Sequence, residues 1–441
     1  MQILPSYHAA ATERLASLEL APFRGLRYAP DRVSGLAEVT SPPYDVIFSD
    51  KEDQLMAADP HNVVRLILPR PVDGEIGGEY EHAAQSLREW REQQILVTDP
   101  EPALYVYEQA GPGMMQRGLI GAVRLVPPEA GVVLPHEDVS PGPVAGRLSL
   151  MTETQANFEP IFLLYDGGDG EPGPAARIIA RTAETAPLME AHTSDGLRHR
   201  LWAITDPGEV TAIADDLAPR QALIADGHHR YAAYLRLQEH MRRSGAGEGP
   251  WDYGLALLVD SAGYPPRIGA IHRVIAGLDA GRAAELASAA FRVREVSAAI
   301  ADLPVTLEAL ADASAEGPAF AVIDKAAGYL LTHPDPARAE AAMPPGTSPQ
   351  WRALPASVMQ ELLIFGVWDL TDDDQAVLAV HDAEAAVRAA QAGGGTAVLC
   401  SPMTPADVYA VAARGEKVPR KSTSFAPKPR TGLVMRAFAD G

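Results

Sequence analysis

The chain has 441 residues, 47% of them hydrophobic and 22% charged, with a formal net charge of −21 and a single cysteine, Cys400. That length predicts two or three domains with ample core, while the lone cysteine excludes an intramolecular disulfide or a Cys-clustered metal site and fits a reducing cytoplasm. The acidic balance disfavours nonspecific binding to nucleic acid or a membrane surface. It leaves a small-molecule substrate as the expected partner and the oligomeric state open. No apolar run approaches the roughly 18 residues that a membrane helix needs, and residues 1–18 lack the continuous apolar stretch of a secretory signal.

In chain order, residues 20–48 mix Gly, Pro and aromatic side chains, and the prolines bar a regular helix. An ordered, extended loop with a short strand or two is expected. Tyr80, Ala83, Leu87 and Trp90 at helical spacing predict an amphipathic helix over 78–95. Strands are predicted at 104–107, 118–126 and 161–165, followed by a Gly/Pro-rich surface loop at 166–175. A strand at 222–225 leads into a helix over 228–243, and a further strand falls at 255–259. Near the C-terminus the strands 376–380 and 397–400 alternate with a helix capped by Asp382 and another opened by Thr404-Pro405-Ala406-Asp407, which Gly415 ends. The pattern is mixed α/β, without internal repeats. The Gly/Pro-rich stretches suggest three regions: 1–170, 171–332 carrying the phosphate-binding motif, and 333–441 with a basic terminal loop.

The most informative stretch is Asp226-Gly227-His228-His229-Arg230-Tyr231. A strand that ends in a tight Gly turn and opens into a helix presents N–H groups and the positive end of the macrodipole, a geometry suited to an anion. Gly227 permits a positive φ or a close backbone approach, Arg230 offers a fork of donors to phosphate oxygens, and Asp226 can accept a hydroxyl proton or hold Mg²⁺. The plainer alternative is a well-capped helix with surface histidines.

Other stretches leave their alternatives open. His136-Glu137 supplies a base or ligand, or is a polar loop; Arg147, Glu153 and Asn157 follow in a long polar segment. Lys421, Ser422 and Thr423 lie in a locally basic stretch with Arg414, Lys417, Arg420, Lys428 and Arg430. That stretch is an ordered loop that meets an anion, or a solvated tail. Phe425 and the apolar residues 433–435 argue that it is packed. In Pro42-Pro43-Tyr44-Asp45, a buried ring is expected of Tyr44, and Asp45 is a candidate carboxylate. His272-Arg273 is a weaker candidate anion contact.

Together these motifs resemble the bacterial and archaeal family grouped as domain of unknown function 1015. The resemblance runs from Pro22-Phe23-Arg24-Gly25 through His136-Glu137, Arg147, Pro160-Ile161-Phe162, Leu201-Trp202 and the stretch 224–231 to Lys421-Ser422-Thr423-Ser424 and Thr431-Gly432-Leu433-Val434. The Asp-Gly-His-His-Arg core is similar to that of the ParB/sulfiredoxin-like superfamily, which implies a ParB-like core with additional α/β elements. It also resembles the motif of free serine kinases within that superfamily. The resemblance implies that Asp226 contacts an acceptor hydroxyl and that Gly227, His228, His229 and Arg230 hold donor phosphates, with Glu137 or Asp45 as base. His228 is a further catalytic candidate, Lys421, Ser422 and Thr423 join the phosphate contacts, and Tyr44, Asp45, His136 and Arg147 line the substrate. The motif lacks the cysteine of sulfiredoxins, which disfavours their chemistry.

The expected function is therefore phosphoryl transfer to a small hydroxylated metabolite such as L-serine, with Mg²⁺ and ATP, ADP or pyrophosphate as donor. The alternative is a nucleotide or phosphate sensor without turnover. A metal hydrolase is less favoured, because adjacent His228 and His229 point to different faces of a helix or strand, and no metal site is assigned from the sequence.

Overall fold

A computed structural model describes residues 16–71, 78–168, 170–371 and 376–440. The segment read for a secretory signal therefore lies, up to residue 15, outside the described residues. The fold is mixed α/β and separates into two compact units. The first is made of Met1–Leu134, Val139–Pro265 and Pro429–Gly441, the second of Pro135–Asp138 and Pro266–Lys428. Sequence-based boundaries at 170 and 332 both fall inside a unit. Strands far apart in sequence pair across those points, and no Gly/Pro-rich loop reveals such pairing.

The first unit is built on a nine-stranded sheet. Its strands are β1 (Leu20–Ala21), β2 (Leu104–Gly111), β3 (Met114–Arg124), β4 (Val133–Leu134), β5 (Ile161–Tyr165), β6 (Met189–His192), β7 (Arg198–Ile204), β8 (Ala222–Asp226) and β9 (Tyr253–Asp260). Their spatial order is β4-β8-β5-β9-β3-β2-β7-β6, with β1 also paired to β3. The pairs β4–β8 and β5–β9 are parallel and the others antiparallel. Strands β5 and β8 are apolar at almost every position because both of their faces are covered.

Helices of this unit include α1 (Glu79–Glu92), α2 (Pro141–Thr154), α3 (Pro174–Thr182), α4 (Pro207–Leu217) and α5 (His228–Arg243). Helix α5 buries Tyr231, Ala233, Tyr234 and Leu237 in the sheet's core with β8, β5 and β9, at the spacing of one helical face. Helix α2 replaces the polar segment expected around Arg147. Pro141 is tolerated at its first position, where the missing N–H would have no intrahelical acceptor, and Val144, Arg147, Leu150 and Met151 form its buried face while Glu153 is exposed. A second core gathers Tyr28, Val39, Val64, Leu66, Ile67 and Trp90 with Met435 and Ala437. Residues near the C-terminus thus complete the core of the first unit, and Arg436 pairs with Asn157 in a short antiparallel bridge.

The second unit contains a six-stranded antiparallel sheet of β10 (His272–Ile275), β11 (Arg292–Val296), β12 (Phe320–Ile323), β13 (Gly328–Thr332), β14 (Val377–Val380) and β15 (Thr396–Cys400), in the order β11-β13-β12-β15-β10-β14. Helices α6 (Ala280–Ala287), α7 (Leu303–Glu316), α8 (Ala383–Gly393) and α9 (Pro405–Ala412) belong to it. The expected caps are present: the Asp382 side chain accepts from the Ala385 N–H, and Thr404 with Asp407 forms a capping box. Gly415, at φ 74°, follows three residues after α9 ends.

Two buried histidines set a pH dependence on folding. The His199 ring on β7 lies between Tyr107 Oη, 2.9 Å from Nδ1, and Thr193 Oγ1, 3.1 Å from Nε2. Burial foremost, then Arg430, holds its pKa down to about 4. His272 on β10 accepts the Cys400 N–H at 3.3 Å and is also pushed down to about 4, chiefly by burial. A lowered histidine pKa means that the unfolded chain binds the extra proton first, so stability is complete above about pH 6.5 and is lost as pH falls toward 4. Each ring is expected to remove about 2 kcal/mol between pH 7 and pH 5. Urea titrations at the two pH values, on the wild type and on His199→Gln, measure the difference.

Candidate functional site

Strand β8 does not run straight into its turn. Ile224 pairs with Leu163, but Asp226 pairs with Phe162, so Ala225 is an extra residue on the β8 side. Such a bulge bends the strand and re-aims the next side chain. Asp226 consequently ends β8, with its side chain 8% exposed. Gly227 follows at φ 97°, ψ 27° as the N-cap of α5, in the left-handed region that glycine adopts without strain. The first intrahelical bond joins the Tyr231 N–H to the Gly227 carbonyl, so the N–H groups of the first turn point out of the helix end.

The guanidinium of Arg230 folds back beneath this turn. Its Nη2 donates to Asp226 Oδ2 at 2.5 Å and its Nη1 to the Pro160 carbonyl at 2.7 Å, and the residue is only 4% exposed. Burial opposes its charge, but Asp226, Glu159 and Asp45 outweigh that and hold its pKa above the ordinary arginine value. The fork expected to grip phosphate is therefore engaged inside the protein, because the carboxylate at the strand end needs a buried counter-ion. A Cβ at Gly227 would stand 2.9 Å from Ile161 Cγ2 and 3.2 Å from the Arg230 guanidinium. Gly227→Ala is accordingly expected to cost about 2 kcal/mol from the positive φ alone, with a further loss from the crowding, read as a lower Tm and weaker anion binding.

His228 is buried and His229 half-buried. The Ser140 N–H donates to His229 Nε2 at 3.0 Å, which fixes the ring as the neutral tautomer protonated on Nδ1. Burial lowers its pKa, Arg230 adds to that, and Asp45 and Asp226 oppose it. His229 thus stands at the α5 end as a neutral donor.

The N-terminal motif comes to the same place. Tyr44 begins a short 3₁₀ turn, Tyr44–Val46, and its N–H donates to Glu159 Oε1 at 2.9 Å. Its ring, half-buried rather than buried as expected, lies under the Arg147 guanidinium at 4.2 Å. Arg147 Nη1 donates to the Ile67 carbonyl at 2.7 Å and stands 3.6 Å from Glu159 Oε2. Asp45 is exposed and acts electrostatically on both His229 and Arg230. A cavity of about 20 Å³, the size of one water, is lined by Arg147, Asn157, Glu159, Arg230 and Tyr234 among others.

Tyr44, Asp45, Arg147, Asp226, Gly227, His229 and Arg230 therefore come together in one cluster in the first unit, and His228 lies buried on the first turn of α5. Glu159 belongs to the cluster as well and was missed in the sequence. Its only signal is an acidic residue directly before the buried run that begins with Pro160 and Ile161.

The other candidates form a cluster in the second unit. The Thr423 hydroxyl donates to Glu137 Oε1 at 2.7 Å and lies 2.9 Å from His136 Nε2. Lys417 pairs with Asp138, and the His136 ring meets Phe425 edge-on. Ser422 is buried and donates to the Pro419 carbonyl, so its hydroxyl closes a turn. Lys421 is exposed, at φ 51°. Arg273, proposed as an anion contact, instead donates to the carbonyls of Arg420 and Lys421 at 3.0 Å each. It braces the basic loop because its backbone carbonyls lie within reach of a buried guanidinium. Arg430 lies in the first unit and donates to Thr40 Oγ1.

Among the described residues, no group of three or more His, Cys, Asp or Glu side chains is placed to hold a metal ion. No helix of the described residues is long and apolar enough to cross a membrane.

The family model described as "Protein of unknown function (DUF1015)" matches residues 20–357, and the chain belongs to that family. The terminal stretches 421–428 and 431–434 lie beyond the matched residues. A search of curated proteins finds no match. Similar solved structures include a free serine kinase in complex with AMP (16% identity, TM-score 0.31, covering 67% of this chain and 83% of that one). They also include a conserved hypothetical protein from Pyrococcus furiosus (15%, 0.30, 67% and 88%) and C-terminally truncated SbnI from Staphylococcus aureus (11%, 0.33, 70% and 84%).

Proposed function

We propose that this chain is a small-molecule kinase, transferring a phosphoryl group from a nucleotide or pyrophosphate to the hydroxyl of a free amino acid such as L-serine. One observation carries the reading. An outward-pointing helix N-terminus stands beside Asp226, neutral His229 and the exposed Asp45 in a single cluster. Phosphoryl transfer asks little covalent chemistry of a protein: the donor phosphates must be fixed, the acceptor hydroxyl aligned, and a carboxylate must orient it.

In this reading the N–H groups of α5 and His229 Nδ1–H hold donor oxygens. Asp226, ion-paired with Arg230, orients the acceptor hydroxyl. A new bond forms from the acceptor oxygen to phosphorus, the bond from phosphorus to the donor oxygen breaks, and the hydroxyl proton passes to Asp45. Asp45 is preferred over Glu137 because it shares the electrostatic field of Asp226 and Arg230 within one unit. Mg²⁺, which takes one or two protein carboxylates together with phosphate oxygens, would be held by Asp45 and Asp226, and it would neutralise charge on the donor.

The sensor alternative is favoured by one feature. Asp226 is already ion-paired with Arg230, which competes with an acceptor hydroxyl for its oxygens. Incubation with L-serine, Mg²⁺ and ATP, ADP or pyrophosphate in turn, followed by detection of phosphoserine, separates the two. Product with one donor supports the kinase. A donor-dependent rise in Tm without product from any hydroxyl amino acid supports the sensor.

A further inference from the structure

Glu159 is 4% exposed and touches three elements of the site. It accepts the Tyr44 N–H from the 42–46 turn, stands 3.6 Å from Arg147 on α2, and its backbone carbonyl accepts the Tyr234 hydroxyl of α5 at 3.3 Å. The neighbouring Pro160 carbonyl accepts Arg230. We infer that Glu159 is a positioning residue: it fastens the 42–46 turn to the end of β8 and thereby holds Asp45 beside Asp226 and His229.

The attachment is direct, because Asp45 follows the residue whose N–H is held. The Tyr44 ring beneath Arg147 pins the same turn from its other side, and Arg147 is itself bound to the Ile67 carbonyl. Glu159 also shares in holding the buried Arg230 charge, and its hydrogen bond to the Tyr44 N–H adds a second, geometric role. Burial raises its pKa despite Arg230, Arg147 and the Tyr44 N–H. A carboxyl raised in this way adds stability only while protonated, and that contribution is lost as pH rises through its folded pKa. What assigns the role is the geometry: one carboxyl accepts the Tyr44 N–H, stands beside Arg147 and belongs to the residue whose carbonyl accepts the Tyr234 hydroxyl. The role rests on the kinase reading for its catalytic consequence, but not for its geometry.

The test compares Glu159→Met, which keeps the volume but cannot accept a hydrogen bond, with Glu159→Gln, which keeps the accepting oxygen without the charge. Hydrogen exchange at single-residue resolution is read at Tyr44, with Val46 and Ile47, which bond to Pro43 and Tyr44 carbonyls, as local references. The Tyr44 amide should exchange about tenfold faster or more in Glu159→Met and stay within about threefold of wild type in Glu159→Gln. In turnover, Glu159→Met should lower kcat more than it raises the donor KM, and Glu159→Gln should restore both. Unchanged Tyr44 protection in Glu159→Met overturns the role. If that variant does not fold, Glu159→Gln decides alone: retained protection and kcat support the role, and loss of Tyr44 protection overturns it. If wild type transfers phosphate to no acceptor, the kinase reading falls while the exchange result still stands.

Discussion

Asp226→Asn is expected to abolish phosphoryl transfer with every donor while leaving donor binding measurable. The substitution keeps the shape of the side chain and an oxygen for Arg230 but removes the charge that orients the acceptor. Misplacing a reacting group by about 1 Å costs about 10² in rate, and losing the group that aligns it costs at least as much. The direct donor contacts assigned to the N–H groups of α5 and to His229 do not involve the Asp226 carboxylate, so the donor-dependent rise in Tm should persist, reduced by the loss of one of the two carboxylates that would hold Mg²⁺. Some stability should go as well. The Arg230 charge is held jointly by Asp226, Glu159 and Asp45, so neutralising one of the three weakens a charged hydrogen bond worth about 1–3 kcal/mol without stranding the guanidinium. Phosphoserine production and thermal melts with and without donor measure both effects. Unchanged turnover would remove Asp226 from the chemistry.

Arg230→Ala should have its largest effect on folding. The sequence casts Arg230 as a phosphate clamp, but its donors face Asp226 and the Pro160 carbonyl in the interior. Truncation removes the cation paired with the buried Asp226 and leaves the buried Glu159 with Arg147. Breaking a buried pair by removing one partner costs about 3–5 kcal/mol, a large share of a domain's net stability. Arg230→Lys should recover part of that loss, since an ammonium restores the charge but cannot reproduce both bonds of a planar fork. Urea denaturation ranks wild type, Lys and Ala in that order, and donor titration on the folded Lys variant reads binding separately. If Arg230→Ala kept full stability and lost only donor affinity, the arginine would be a ligand contact after all.

Much of the first unit's interior was legible as local pattern. Uniformly apolar runs at 161–165 and 222–225, and the helix at 228–243, stand where their residue types place them, since burial on both faces and capping leave marks within a few positions. Helix α2 was not legible. Arg147, Glu153 and Asn157 read as one long polar segment, and the packing of Val144, Arg147 and Met151 on one face makes a helix of residues 141–154. The site followed the same division. Asp226 and Gly227 announce a strand–helix turn locally, whereas the bulge at Ala225 depends on the register of β8 against β5. Glu159 gave only the signal of an acidic residue before a buried run, because its hydrogen-bond partners lie 115 residues upstream at Tyr44 and 75 residues downstream at Tyr234.

The sequence by itself determined the mixed α/β class, the strand–glycine–helix turn at 226–230, and the capped elements near the C-terminus. Each of these depends on hydrophobic period, φ preference or capping within one or two turns of chain. Only the tertiary structure decided that Arg230 points inward and that Tyr44, Asp45 and Glu159 share the α5 end. It alone also assigned His136 and Glu137 to the unit that holds Thr423. Those outcomes follow from the need to pair buried charges and to satisfy backbone groups with partners far away in the chain, and no local pattern encodes which partner that is.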